Sequence, residues 1–84
     1  MTHDELRVIL IEQITTIAPD IDAANFDPNA KLRDDYDMDS MDSLNLASAI
    51  HKRLQVSIPE TDFGKLQTLN DLMSYLEKRI SLNG

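Results

Sequence analysis

The stretch Asp35-Tyr36-Asp37-Met38-Asp39-Ser40-Met41-Asp42 concentrates the chemistry of this chain. A serine flanked by acids stands where a long irregular segment turns into an amphipathic one, Ser43 to Leu54. That placement exposes the hydroxyl to another protein and gives any phosphate attached to it a helix N-terminus to rest on. Nothing adjacent in sequence would make Ser40 a nucleophile. Five aspartates and no base lie between Asp34 and Asp42, and carboxylates repel a developing alkoxide. A pairing with His51 fails on geometry, because three helical turns, about 16 Å, separate the two. His3 is far away in sequence. Ser40 is not expected to catalyse.

Two other readings compete for the same residues. Asp35, Asp37 and Asp39 occupy positions 1, 3 and 5 of an EF-hand loop, but position 6 is Ser40 instead of glycine and position 12 is Leu46 instead of glutamate. Only weak divalent binding by the cluster is expected, and no metal site is assigned. The other reading is a small acidic helical interaction module in which Ser40 is only a helix N-cap.

The elements that position the serine follow from apolar spacing. From about His3 to Ile17, Leu6, Ile9, Leu10, Ile14 and Ile17 share one helical face, and Pro19 ends the run. Leu44, Leu46, Ala47, Ile50 and Leu54 share a broad apolar face after Ser40. Thr68 is an N-cap for a last helix with the stripe Leu69, Leu72, Met73, Leu76 and Ile80, and Gly84 lies past its end. Pro59 to Phe63 reads as a short helical turn, with Pro59 at a first helical position and Gly64 stopping it. Residues 18–39 read as irregular, a length that in a small domain is often functional. The expected fold is all-α: a four-helix bundle with a short third helix and a long loop between helices 1 and 2, one domain over residues 1–84.

Composition narrows the function. The chain has no cysteine, which removes disulfides, thiol nucleophiles and zinc–thiolate sites. Net charge is −7, distributed as eleven acids against three bases in residues 1–42 and four against five in residues 43–84. Without a basic stripe, nucleic acid is not an expected partner. The acidic start and the four-residue apolar run Val8 to Ile11 suit neither a secretory signal nor a membrane span, so a cytoplasmic protein is expected.

Asp39-Ser40-Met41-Asp42 resembles the prosthetic-group attachment site of acyl carrier proteins, whose core pattern is Asp-Ser-(Leu or Met)-(Asp or Glu). The resemblance extends over roughly residues 3–80. It takes in the long loop, the Ile58-Pro59 pair with Pro59 nineteen residues after Ser40, and Thr68-Leu69 opening the last helix. It implies that a phosphopantetheinyl transferase attaches 4′-phosphopantetheine from coenzyme A to Ser40 as a phosphodiester. The arm's thiol then carries acyl groups as thioesters for acyl-loading and acyl-processing enzymes, in fatty-acid, polyketide or related biosynthesis. The carrier is not itself an enzyme and is expected to be a monomer. A second Asp-Ser pair, Asp42-Ser43, competes. Ser43 has an amide at its fourth position, stands three residues too near Pro59 for the family, and falls inside the arc of Ala47, Ile50 and Leu54.

Partner contacts are expected at Asp39, Met41 and Asp42, and along the outward stripe of Met41, Asn45, Ser48 and Lys52. In the family the corresponding face is rich in acids. Here it is neutral and ends in His51-Lys52-Arg53. A second departure is Asp37, where the family commonly has glycine. Both departures suggest a specialised carrier serving, for example, secondary metabolism, rather than the housekeeping one.

Overall fold

The computed structural model describes residues 2–80, and every regular element in that range is helical. Helix α1 spans His3–Ile17, α2 Leu32–Asp35, α3 Ser40–Leu54 and α4 Leu69–Glu77, with 3₁₀ turns at Ala23–Asn25 and Glu60–Lys65. Gly84 lies outside the described residues. No helix among the described residues is long and apolar enough to cross a membrane.

Helix α1 begins as its sequence dictates. The Thr2 hydroxyl accepts the Glu5 amide at 3.1 Å, and Asp4 and Glu5 in the first turn suit the positive end of the helix. The Ala18 amide still reaches the Ile14 carbonyl, and Pro19 then prevents another turn. Leu6, Leu10 and Ile14 have no exposed surface, and α1 packs on α3 and α4. Each such side chain contributes about 1.5–3 kcal/mol on burial, which outweighs helix propensity as the force holding the bundle. No polar side chain is buried among the described residues, so the core is apolar throughout.

The first connection is more ordered than its composition suggests. Four side chains along it, Ile21, Phe26, Leu32 and Met38, reach the core. Asp22 caps the Ala23–Asn25 turn by accepting from the Ala24 amide and the Asn25 side chain, and those bonds hold its carboxyl below the ordinary range. Phe26 and Tyr36 stack with ring centres 4.9 Å apart, and the Asp27 amide donates to the Tyr36 hydroxyl. The Leu32 amide donates to the Gln67 carbonyl at 2.8 Å, and Asn70 donates its amide to the Pro28 carbonyl. These long-range bonds tie the connection to the start of α4 and its approach, and the first of them holds α2 in a segment expected to be irregular.

The short third helix is a 3₁₀ stretch, and two details differ from expectation. Pro59 is its N-cap and not its first residue, while Gly64 lies inside the stretch, which Leu66 ends. The Tyr75 hydroxyl donates to the Asp62 carboxylate at 2.6 Å and ties the stretch to α4. That bond, helped by desolvation and opposed by the nearby Arg79 guanidinium, raises the Tyr75 phenol above its ordinary pKa. Ile80 packs on the core, but just beyond the end of α4.

Candidate functional site

Asp39, not Ser40, is the N-cap of α3. Its carboxylate accepts the Asp42 amide at 2.9 Å, and the Asp42 carboxylate accepts the Asp39 amide at 3.3 Å. This reciprocal pair satisfies two of the orphan donors of a helix start. Ser40 becomes the first residue of the helix, and it is exposed. Among the described residues its hydroxyl enters no side-chain hydrogen bond. The alternative in which Ser40 serves only as a cap is therefore corrected: the aspartate before it does that work and leaves the hydroxyl unused.

What holds Ser40 in place lies just before it. Met38 is 2% exposed and pins the chain to the core two residues upstream. Its amide donates to the Leu32 carbonyl at 3.1 Å, tying the approach to α2. Between them the backbone reverses at Asp37, with φ of 54°. That is the left-handed region, where glycine is at ease and aspartate is tolerated.

Ser40 stands on the lining of a cavity of about 370 Å³. Its walls come from α2, α3, α4 and the 3₁₀ stretch with its flanks, and Leu46, Ile50, Ile58 and Leu72 supply apolar surface. Ser43 lies inside the same cavity lining and is half-buried, consistent with its inward position on the wheel. Lys31 and Arg33, expected from the sequence only as the bases nearest the acidic cluster, also line the cavity. The pattern that points them at the cavity is Lys31-Leu32-Arg33, with two cations flanking one buried apolar anchor.

The outward face of α3 is laid out as its periodicity implies. Asp39, Met41, Asn45, Ser48 and Lys52 are exposed, and Asp42 is half-buried. Met41 is 64% exposed. Leu44, assigned to the core face, is instead 38% exposed. It stands about 120° round the helix from Ile50, outside the buried arc, and three residues from Met41 on the same outer surface.

The acids do not converge. The Asp35 carboxylate accepts the Lys31 amide at 2.8 Å, while Asp39 and Asp42 bond to each other's amides. Among the described residues no group of three histidine, aspartate or glutamate side chains could hold a metal ion. His3 pairs with Glu77, joining α1 to the end of α4, and takes no part in the site.

The site is thus an exposed serine, free of side-chain hydrogen bonds among the described residues, at a helix start on the lining of a cavity with both apolar and charged walls. The family model described as phosphopantetheine attachment site matches residues 8–76. An acyl carrier protein of Bdellovibrio bacteriovorus is 32% identical over 77 residues, covering 92% of each chain. One of Solidesulfovibrio magneticus is 30% identical over 76 residues, 90% of this chain and 91% of that protein. One of Helicobacter hepaticus is 25% identical over 76 residues, 90% of this chain and 93% of that protein. The chain belongs to the acyl carrier protein family. Its members carry a 4′-phosphopantetheine prosthetic group, work with a phosphopantetheinyl transferase and biosynthetic enzymes, and are not catalysts.

Proposed function

We propose that Ser40 is the attachment point of the 4′-phosphopantetheine arm, and that residues 1–84 form a single carrier domain. It delivers acyl intermediates as a cytoplasmic monomer in fatty-acid, polyketide or related biosynthesis. The observation that carries this is the unused hydroxyl of Ser40, exposed at the first position of α3 while Asp39 caps the helix. When bound, the arm supplies the thiol that this cysteine-free chain lacks, and acyl groups ride on it as thioesters. The chain's own residues do the rest. The Asp39–Asp42 pair fixes the helix start, Met38 anchors the approach, and Asp39 and Asp42 offer charge to a basic enzyme surface. Intact mass after treatment with a transferase and coenzyme A should show one addition, lost in Ser40→Ala and kept in Ser43→Ala. Modification of Ser40→Ala would reassign the site.

The partners are those of a specialised carrier. In support, the exposed stripe of Met41, Asn45, Ser48 and Lys52 carries no acid, and Arg53 beside it adds positive charge. Enzymes built for an acidic carrier helix meet like charge at this end. Replacing Asn45, Lys52 and Arg53 with glutamate should raise turnover with a housekeeping acyl-loading enzyme, most at low ionic strength. Equal rates for wild type and triple variant would remove this helix face from partner choice.

A further inference from the structure

Of the three bases in the first 42 residues, two, Lys31 and Arg33, line the cavity that Ser40 also lines. Their placement is fixed by the backbone. Leu32 between them is buried, its amide bonds to the Gln67 carbonyl, and its own carbonyl accepts the amide of Met38, two residues from Ser40.

Both cations sit amid aspartates in the sequence, yet neither pairs with one among the described residues. The ion pairs among the described residues are His3–Glu77 and Lys65–Asp62, and neither involves Lys31 or Arg33. The Asp35 carboxylate accepts the Lys31 amide and the Asp39 carboxylate the Asp42 amide, so each has one backbone bond. Asp34 remains as the other acid on the cavity lining. The amides of Ser40 and Met41, at the positive end of the fifteen-residue α3, also donate to nothing among the described residues.

We propose that Lys31 and Arg33 form a clamp for an anionic oxygen group at the cavity wall beside Ser40, and that the phosphodiester of the arm is the group held. This rests on Ser40 being the attachment point. A phosphodiester on Ser40 begins at the serine oxygen itself, on the same lining as the two cations. Guanidinium and ammonium groups bond phosphate oxygens with charge assistance, and the free helix amides add donors of the same sense. The clamp orients the arm toward the apolar wall. A carboxylate at the far end of a cargo offers the same chemistry, so the two sources are separated by experiment.

The apo, holo, butyryl-loaded and succinyl-loaded forms of wild type and of the double variant Lys31→Gln/Arg33→Gln are compared. Both side chains are exposed, so the variant should fold as the wild type does. Intact mass of wild type and Ser40→Ala comes first, because no addition to the wild type, or an addition to Ser40→Ala, refutes the Ser40 assignment and the phosphodiester clamp with it. With the arm in place, wild-type holo protein should melt about 2–4 °C above apo at low salt. That gain should shrink at 0.5 M salt as screening grows (the Debye length falls to a few Å, on the order of 4). In the double variant the gain should vanish and the ³¹P resonance of the arm should move, while Lys31→Arg keeps both near wild type. A loss confined to the succinyl-loaded form assigns the clamp to the cargo carboxylate and refutes the phosphodiester assignment. No gain in the wild type, or an equal gain and an unmoved ³¹P resonance in the double variant, overturns the clamp altogether.

Discussion

Helices α3 and α4 start with the same device and use it differently. Each has a capping box closed by an aspartate three residues after the cap, Asp39 with Asp42 and Thr68 with Asp71. At α4 the first helical residue, Leu69, is wholly buried. At α3 it is Ser40, exposed, and the buried anchor is Met38, one residue before the cap. Moving the apolar anchor from one side of the cap to the other turns the first helical position outward. Capping thus leaves the neighbouring side chain free, and the position of the anchor decides whether it goes to the core or to a partner.

The sharpest way to break this comparison is to truncate the first helical residue at each start. Leu69→Ala removes a fully buried side chain and should cost roughly 3 kcal/mol. Ser40→Ala should change stability by less than about 0.5 kcal/mol, since it removes neither packing nor a cap. Urea unfolding midpoints measure both. A comparable loss in Ser40→Ala would mean that its hydroxyl supports the helix after all.

The caps should behave alike where the first residues do not. Thr68→Ala and Asp39→Ala should each cost about 1 kcal/mol. Asp39→Asn keeps an accepting oxygen for the Asp42 amide and should stay within a few tenths of a kcal/mol of wild type. Its charge is gone, so its rate of modification by the transferase should fall at low salt and converge with wild type at high salt. If Asp39→Asn is modified as fast as wild type at every salt concentration, Asp39 serves the fold alone.

Much of this was legible in the chain because the signals are local. Pro19 and the Leu6, Ile9, Leu10, Ile14 spacing bound α1 at His3–Ile17, and Thr68 marks the start of α4. What stayed hidden depends on contacts distant in sequence. Four residues of α2 carry one apolar side chain and no period, and the segment folds because Leu32 finds both the core and the Gln67 carbonyl. The assignment of Leu44 to the core failed because a residue about 120° from the centre of a face lies at its edge, where packing decides. Ser40 was placed correctly at the helix start, but which residue caps could not be read from a run in which aspartate and serine both qualify. The cavity was out of reach, since its walls come from segments spread between Lys31 and Leu72 and no single stretch encodes it.

The smallest expected effect tests the approach to each helix start. Two residues before the α3 cap stands Asp37 with φ of 54°, and two before the α4 cap stands Leu66 with φ of −109°. Only the first backbone turns through the left-handed region. Glycine at position 37 relieves a steric cost of about 1 kcal/mol but makes the unfolded chain freer, which takes back roughly half. Asp37→Gly should therefore stabilise by about 0.5 kcal/mol, in keeping with the glycine that acyl carriers commonly have there. The substitution also removes a charge from an acidic stretch, and Asp37→Asn isolates that contribution because asparagine tolerates the same φ. The gain of glycine over asparagine measures the backbone alone. At the other start the sign reverses: Leu66→Gly loses a half-buried side chain and meets no backbone demand, so it should destabilise. Thermal melts of the three variants at one salt concentration decide the matter. If glycine at 37 does no better than asparagine, the turn into α3 is unstrained, and the two approaches differ only in where the apolar anchor falls.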